Sequence, residues 1–307
     1  MKIRRSRCSE RLLAAALALF ALPGCSIRRV AVNSLGNALA EGGSVYARDD
    51  DPELVRLAVP FSLKTIEALL SEAPRHRGLL RAAASGFTQY AFAFVEQEAD
   101  FEEARDLAAA TSLRGRAVKL YLRGRDYGLR GLEVDLPGFR DRLRADPEKA
   151  LAPVKKQQVG LLYWTAAPWA AAMSLSKSDS TLTADQHLAE AMMNRALELD
   201  EPYALGSLHD FFISYEAGRS SVGGSVEKAR AHLRRALELS QGRRAWPYVL
   251  FSESAAVAAQ DRKEFEELLH QALGIDPDRD LDQRLSNLLA QKRARWLLSR
   301  VDELFLE

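Results

Sequence analysis

Three stretches repeat one phrase: Met192-Met193-Asn194-Arg195-Ala196-Leu197-Glu198-Leu199-Asp200-Glu201-Pro202, His232-Leu233-Arg234-Arg235-Ala236-Leu237-Glu238-Leu239-Ser240 and Leu268-Leu269-His270-Gln271-Ala272-Leu273-Gly274-Ile275-Asp276-Pro277. Their Ala-Leu-x-(Leu/Ile) cores begin at 196, 236 and 272, steps of 40 and 36 residues. That is close to the period of tetratricopeptide helix pairs, about 34 residues. Each core closes an apolar helical stripe. Two of the three then meet an acidic residue and a proline, which end a helix and turn the chain.

Working outward, the 307 residues are rich in helix formers and poor in alternating strand runs. The reading is all-α: a tetratricopeptide-like superhelix of helical pairs over 45–307, capped by a last helix over 280–305. A helix start is expected at Asp51-Pro52-Glu53, with the Asp as cap, the Pro in the first turn and the Glu at the positive helix end. Calcium is the weaker reading of that acidic run, since no spaced ligands follow. Phe87, Tyr90 and Phe94 mark one face of the next helix, and Phe92 falls off it toward another neighbour. From 101 to 132 a long arginine-rich helix, or two, carries Arg105, Arg114, Arg116, Lys119, Arg123, Arg125 and Arg130. A solvated face is the default for that charge, and a basic binding strip is the alternative. Residues 136–160, with Pro137, Gly138, Pro147 and Pro153, read as an excursion with one short helix and a possible seam.

The stretch 159–173 is the most apolar after the leader, and it is too short and interrupted to span a membrane. Pro168 should kink it. Buried core is the commoner fate of such a run. It is also the best candidate for a cavity wall, built from Trp164, Pro168 and Trp169 with Phe211 and Phe212, and suited to an apolar or organic-acid small molecule.

The first 24 residues carry five Lys or Arg and one Glu, then an apolar run over 12–21 of leader length. Leu22-Pro23-Gly24-Cys25 resembles a lipobox. The expectation is a signal peptide over 1–24, a lipid on Cys25, and a tether over 25–44. An ordinary cleaved leader with a chance cysteine is the first alternative, and an uncleaved anchor the second. Ser26 after the cysteine points to the outer membrane. The only other cysteine, Cys8, leaves with the leader, so no disulfide or cysteine metal site is expected. The remaining chain holds 38 basic and 41 acidic residues, not a nucleic-acid-binding balance.

Catalytic patterns do not emerge. The five histidines, His76, His187, His209, His232 and His270, form no zinc spacing. There is no phosphate loop, dinucleotide fingerprint or nucleophile elbow. His209-Asp210 near Tyr215-Glu216 is an acid–base pairing that any helical protein offers. No enzyme, metal or cofactor is expected.

Beyond the repeats, four groups of residues carry a family likeness. The first covers Ser44-Val45-Tyr46-Ala47-Arg48-Asp49-Asp50-Asp51-Pro52-Glu53-Leu54-Val55 and Pro60-Phe61-Ser62-Leu63-Lys64-Thr65-Ile66-Glu67. The second is Gly78-Leu79-Leu80-Arg81-Ala82-Ala83-Ala84-Ser85-Gly86-Phe87-Thr88-Gln89-Tyr90-Ala91. Leu162-Tyr163-Trp164 and Ile213-Ser214-Tyr215-Glu216 follow, then Asn287-Leu288-Leu289-Ala290-Gln291-Lys292-Arg293-Ala294-Arg295-Trp296-Leu297-Leu298. On these residues the mature chain resembles the T-component family of TRAP transporters, the TatT-like periplasmic lipoproteins. The resemblance implies cryptic tetratricopeptide pairs, a lipid anchor and a homotrimer with a central opening. It also implies a partner, the periplasmic solute-binding (P) component, and no catalytic residues. Only Cys25 carries over by motif.

Overall fold

The computed structural model describes residues 34–38, 43–219 and 223–306. The leader, Cys25 and most of the expected tether lie outside them. The described chain is 81% helix and contains no strand.

After a helical turn at 34–38 come α1 (Gly43–Ala47) and α2 (Pro52–Glu72). The Asp51 carboxylate accepts from the Glu53 and Leu54 amides, both at 3.0 Å, so the acidic run is a helix cap. Val55, Leu63, Ile66 and Leu70 face inward. Leu54, Leu57 and Phe61, one stripe of the same helix, are 56%, 63% and 78% exposed, and Val45 of α1 is 70% exposed.

Then α3 (Arg77–Ala91) runs through a π-turn at Phe92–Glu96 into α4 (Gln97–Glu102). The chain breaks and restarts on the Asp106 cap as α5 (Leu107–Asp135), so the expected helix from 101 begins later. Arg105, Arg116, Lys119 and Arg123 are exposed, as a solvated face requires, and four arginines of α5 also cover aromatic rings. Arg116 lies over Tyr90, Arg123 over Phe87, Arg125 over Trp169 and Arg130 over Tyr127, at 5.7, 4.8, 5.1 and 5.1 Å from the ring centres. Their stems and guanidinium planes roof the aromatic core while the charge stays near water.

Residues 136–160 hold two short helices, not one: α6 (Phe139–Ala145) and α7 (Pro147–Leu151). Two starts are built into the sequence, a left-handed Gly138 before α6 and an Asp146-Pro147 cap before α7. Central to the molecule is α8 (Val159–Leu175), packed against α3, α5 and α10 (Gln186–Asp200). Apolar all round, it suits a helix with neighbours on several sides. It continues as one helix through Pro168, which has no N–H to give the Trp164 carbonyl. Small residues admit it: a Cβ on Gly128 of α5 would lie 2.1 Å from Thr165 Oγ1.

A turn of helix, α9 (Ser180–Thr183), precedes α10, and α11 (Tyr203–Ala217) follows it. Next come α12 (Val226–Ser240), then α13 (Trp246–Phe251), which continues into a second π-turn at Ser252–Ala256. The series ends with α14 (Arg262–Leu273), α15 (Arg284–Leu298) and α16 (Val301–Leu304). The expected final helix over 280–305 is therefore shorter and broken. Asp276 and Asp280 cap two 3-10 turns ahead of α15, and Ser299 closes onto the Trp296 carbonyl behind it.

The three repeated phrases end α10, α12 and α14. Ala196, Ala236 and Ala272 are all fully buried, where a small side chain permits close helix contact. Arg195–Glu198 and Arg235–Glu238 recur outside at 3.0 and 2.9 Å. Three ion pairs, Glu201–Arg235, Asp210–Arg244 and Arg230–Glu264, each join residues 34 apart.

One core spans α2 to α11, from Leu63 to Phe212. A second gathers Trp246, Phe265, Leu297 and Phe305. A third, smaller one joins Ile213, Leu233 and Phe251. Phe92 and Phe94 pack against both the first and the second, so the cores meet at the π-turn of α3.

Candidate functional site

Both π-turns contribute to one polar cavity at this joint. A π-turn adds a residue to a helical turn and re-aims the side chains around it, and such turns are frequent at functional sites. From Phe92–Glu96 come Phe92 and Glu96; from Ser252–Ala256 comes Glu253. Gln97, Asp100, Trp246 and Arg293 complete a space of about 50 Å³. That is room for one or two water-sized groups. The rings of Phe92 and Trp246 lie 4.8 Å apart, tilted by 54°, along one wall.

Arg293 reaches across the joint, donating to Asp100 Oδ2 at 2.8 Å and Glu253 Oε2 at 2.9 Å. Asp100 also accepts from Arg114 at 3.0 Å. Glu96 has no such cation. It accepts from the Tyr121 hydroxyl, and burial first, then the charges of Asp100 and Glu253, raise its carboxyl to about 7. Gln97 is 3% exposed, and its Nε2 has no hydrogen-bond partner among the described residues. No group of three or more His, Cys, Asp or Glu among the described residues is arranged to hold a metal ion.

None of the five cavity-wall candidates from the sequence lines this space. Trp164 is half-buried, edge-on to Tyr163 at 4.6 Å. Pro168 and Trp169 are buried, and Trp169 Nε1 has no partner among the described residues. Phe211 is half-buried and stacks on Tyr215 at 5.1 Å. Phe212 is buried against His232 at 4.9 Å. The two groups approach through Tyr163 and Tyr203, whose rings are 5.8 Å apart. Tyr203 leads directly into Ala204, Leu205 and Gly206, all left-handed with φ of 47°, 57° and 83°. Left-handed backbone at two non-glycine residues stores strain.

His209 and Asp210 do not act as a pair. His209 Nδ1 meets His232 Nδ1 at 2.8 Å, so one ring donates and the other accepts. Burial, and then His209, push His232 down to about 4. Asp210 is occupied by Arg244 from both guanidinium nitrogens.

The joint cavity was not named from sequence, because its residues come from 92–100, 246–253 and 293 and no local pattern unites them. Phe92, out of register with its aromatic neighbours, was the usable signal, and it does meet Trp246.

This all-helical chain, with a polar joint and no assembled catalytic group among the described residues, belongs to a transport-associated family. The model of the TRAP transporter T-component matches residues 48–305, and the chain is a member of that family. An uncharacterized protein of Treponema pallidum (strain Nichols) is 33% identical over 303 residues, covering 92% of this chain and 94% of that protein. Membership links the chain to a TRAP transporter, a transport system and not an enzyme family. No helix among the described residues is long and apolar enough to cross a membrane.

Proposed function

We propose that this protein is a lipid-anchored periplasmic scaffold of a TRAP transporter. Cys25 carries the lipid at the outer membrane, and the helix pairs stack in tetratricopeptide fashion. Three copies associate, and the assembly docks the solute-binding (P) component and assists solute uptake. The family match over 48–305 carries this reading. The 34-residue ion-pair spacing supports the stacking. The exposed stripe of Leu54, Leu57 and Phe61 on α2 supports a protein contact, since apolar side chains grouped on one surface gain by being covered. Immobilised mature protein should retain the purified P component of its own transporter. No retention at tens of micromolar overturns the docking. Cys25→Ser should move the protein from the membrane to the soluble fraction.

A second reading, a carrier of an apolar or organic-acid molecule, is favoured by the strained turn at Ala204–Gly206. That turn abuts the Tyr163–Trp164 end of the uncharged helix α8. Trp164, Pro168, Trp169, Phe211 and Phe212 would line the site once the turn relaxes. Native mass spectrometry of protein from its own host should then show a bound small molecule; a bare mass removes this reading.

A further inference from the structure

We infer that the cavity at the joint is a binding site for a small hydrogen-bonding cation of the ammonium type. Three carboxylates line it, Glu96, Asp100 and Glu253, against one lining cation, Arg293. Arg293 already divides its guanidinium between Asp100 and Glu253, and Arg114 supports Asp100 from outside. Among the described residues, the hydrogen-bond donor to the Glu96 carboxylate is the Tyr121 hydroxyl, and no cation is in contact with it. Beside it, the buried Gln97 amide leaves its NH2 without a partner among the described residues. A half-turn of that amide presents Oε1 to the cavity instead, one more acceptor beside Glu96.

The remaining wall is aromatic. Phe92 and Trp246 offer ring surface, which attracts a cation. A primary ammonium group is close to water in size, fits about 50 Å³, and donates N–H bonds to carboxylate and amide oxygens. Arg293 holds Asp100 and Glu253 apart from any shared ion, and no group of three or more His, Cys, Asp or Glu among the described residues is arranged to hold a metal. The same chemistry can come from a free amine or from a lysine tip on a bound protein.

Proton and cation compete for Glu96. The charged groups facing it are Asp100, Glu253 and Arg293, with Tyr121 as hydrogen-bond donor. Since its carboxyl titrates at about 7, cation binding strengthens as pH rises through that value.

The test is titration calorimetry of the mature full-length protein with methylammonium chloride at pH 6 and pH 8. Sodium chloride and tetramethylammonium chloride at equal ionic strength are the controls. N-acetyl-lysine methylamide is titrated in parallel to separate a lysine source from a free amine. The expected result is saturable binding of at least one of the two amines, roughly fivefold or more tighter at pH 8, from the ionised fraction of a group titrating near 7. Glu96→Gln keeps an acceptor for Tyr121 and should lose affinity about tenfold together with the pH dependence. Glu253→Gln is the second variant, with a smaller loss, should the first fold poorly; exposed Glu198→Gln should change nothing. Equal heats from sodium chloride, no binding of either amine at 100 millimolar (on the order of the weakest useful affinity), or unchanged binding in both cavity variants overturns the proposal.

Discussion

Arg244 and Asp210 face each other with side chains only 6% and 12% exposed, and Arg244 also donates to the Leu205 carbonyl at 3.4 Å. Removing one partner leaves a buried charge without its counterpart, which costs about 3–5 kcal/mol. Arg244→Met should therefore lower unfolding free energy by about that much in urea titration, and adding Asp210→Asn should restore part of it. A loss under about 1 kcal/mol would mean the pair is solvated. Glu96 gives a pH signature. Its carboxyl is raised in the folded state from an ordinary value near 4.5 to about 7. The folded state thus holds a proton that the unfolded chain releases earlier. Its stabilising share is complete below the unfolded value and is lost as pH climbs toward about 7. Melting temperature should fall across that window in the parent, and Glu96→Gln should flatten this component of the profile. An identical profile in the variant contradicts the assignment.

At the scale of elements, two glycines of one helix should respond oppositely. A Cβ on Gly128 would meet Thr165 Oγ1 at 2.1 Å between α5 and α8, whereas Gly115 has nothing within 4 Å. Gly128→Ala is expected to destabilise by about 1–3 kcal/mol through overpacking, and Gly115→Ala to stabilise by up to about 1 kcal/mol through helix propensity. Denaturant titration of both separates packing from propensity; like signs refute the close approach. Ala204, exposed and left-handed at the start of α11, should gain about 0.5–1 kcal/mol as glycine. A loss there would mean the turn is not strained. The helices bearing the repeated phrase were readable because Ala196, Ala236 and Ala272 each close an apolar stripe, and stripe and closure are both local. The cap at Asp51 was equally local. The π-turns were not readable: an extra residue in a helical turn changes hydrogen-bond register without changing residue type. The left-handed turn at Ala204–Gly206 was hidden for a related reason, since alanine and leucine do not announce it. The ring contacts of the α5 arginines were hidden too, because covering a ring depends on partners such as Trp169 that are distant in sequence.

For the whole molecule, the joint and the apolar stripe lie on different helices, one between cores and one on the outer side of α2. The first suits a small ligand and the second a protein neighbour. Light scattering should give a trimer for the mature protein, and Leu57→Glu with Phe61→Glu should reduce either that mass or partner binding. If both survive intact, the stripe is not an interface. The scaffold claim is tested most directly by mixing the mature protein with the purified solute-binding component of its own transporter at tens of micromolar (a concentration that populates complexes of about micromolar affinity). Size-exclusion chromatography with in-line light scattering then reads the mass. The account requires one co-eluting peak whose mass exceeds that of either protein alone; two separate peaks at the masses of the isolated components would contradict it.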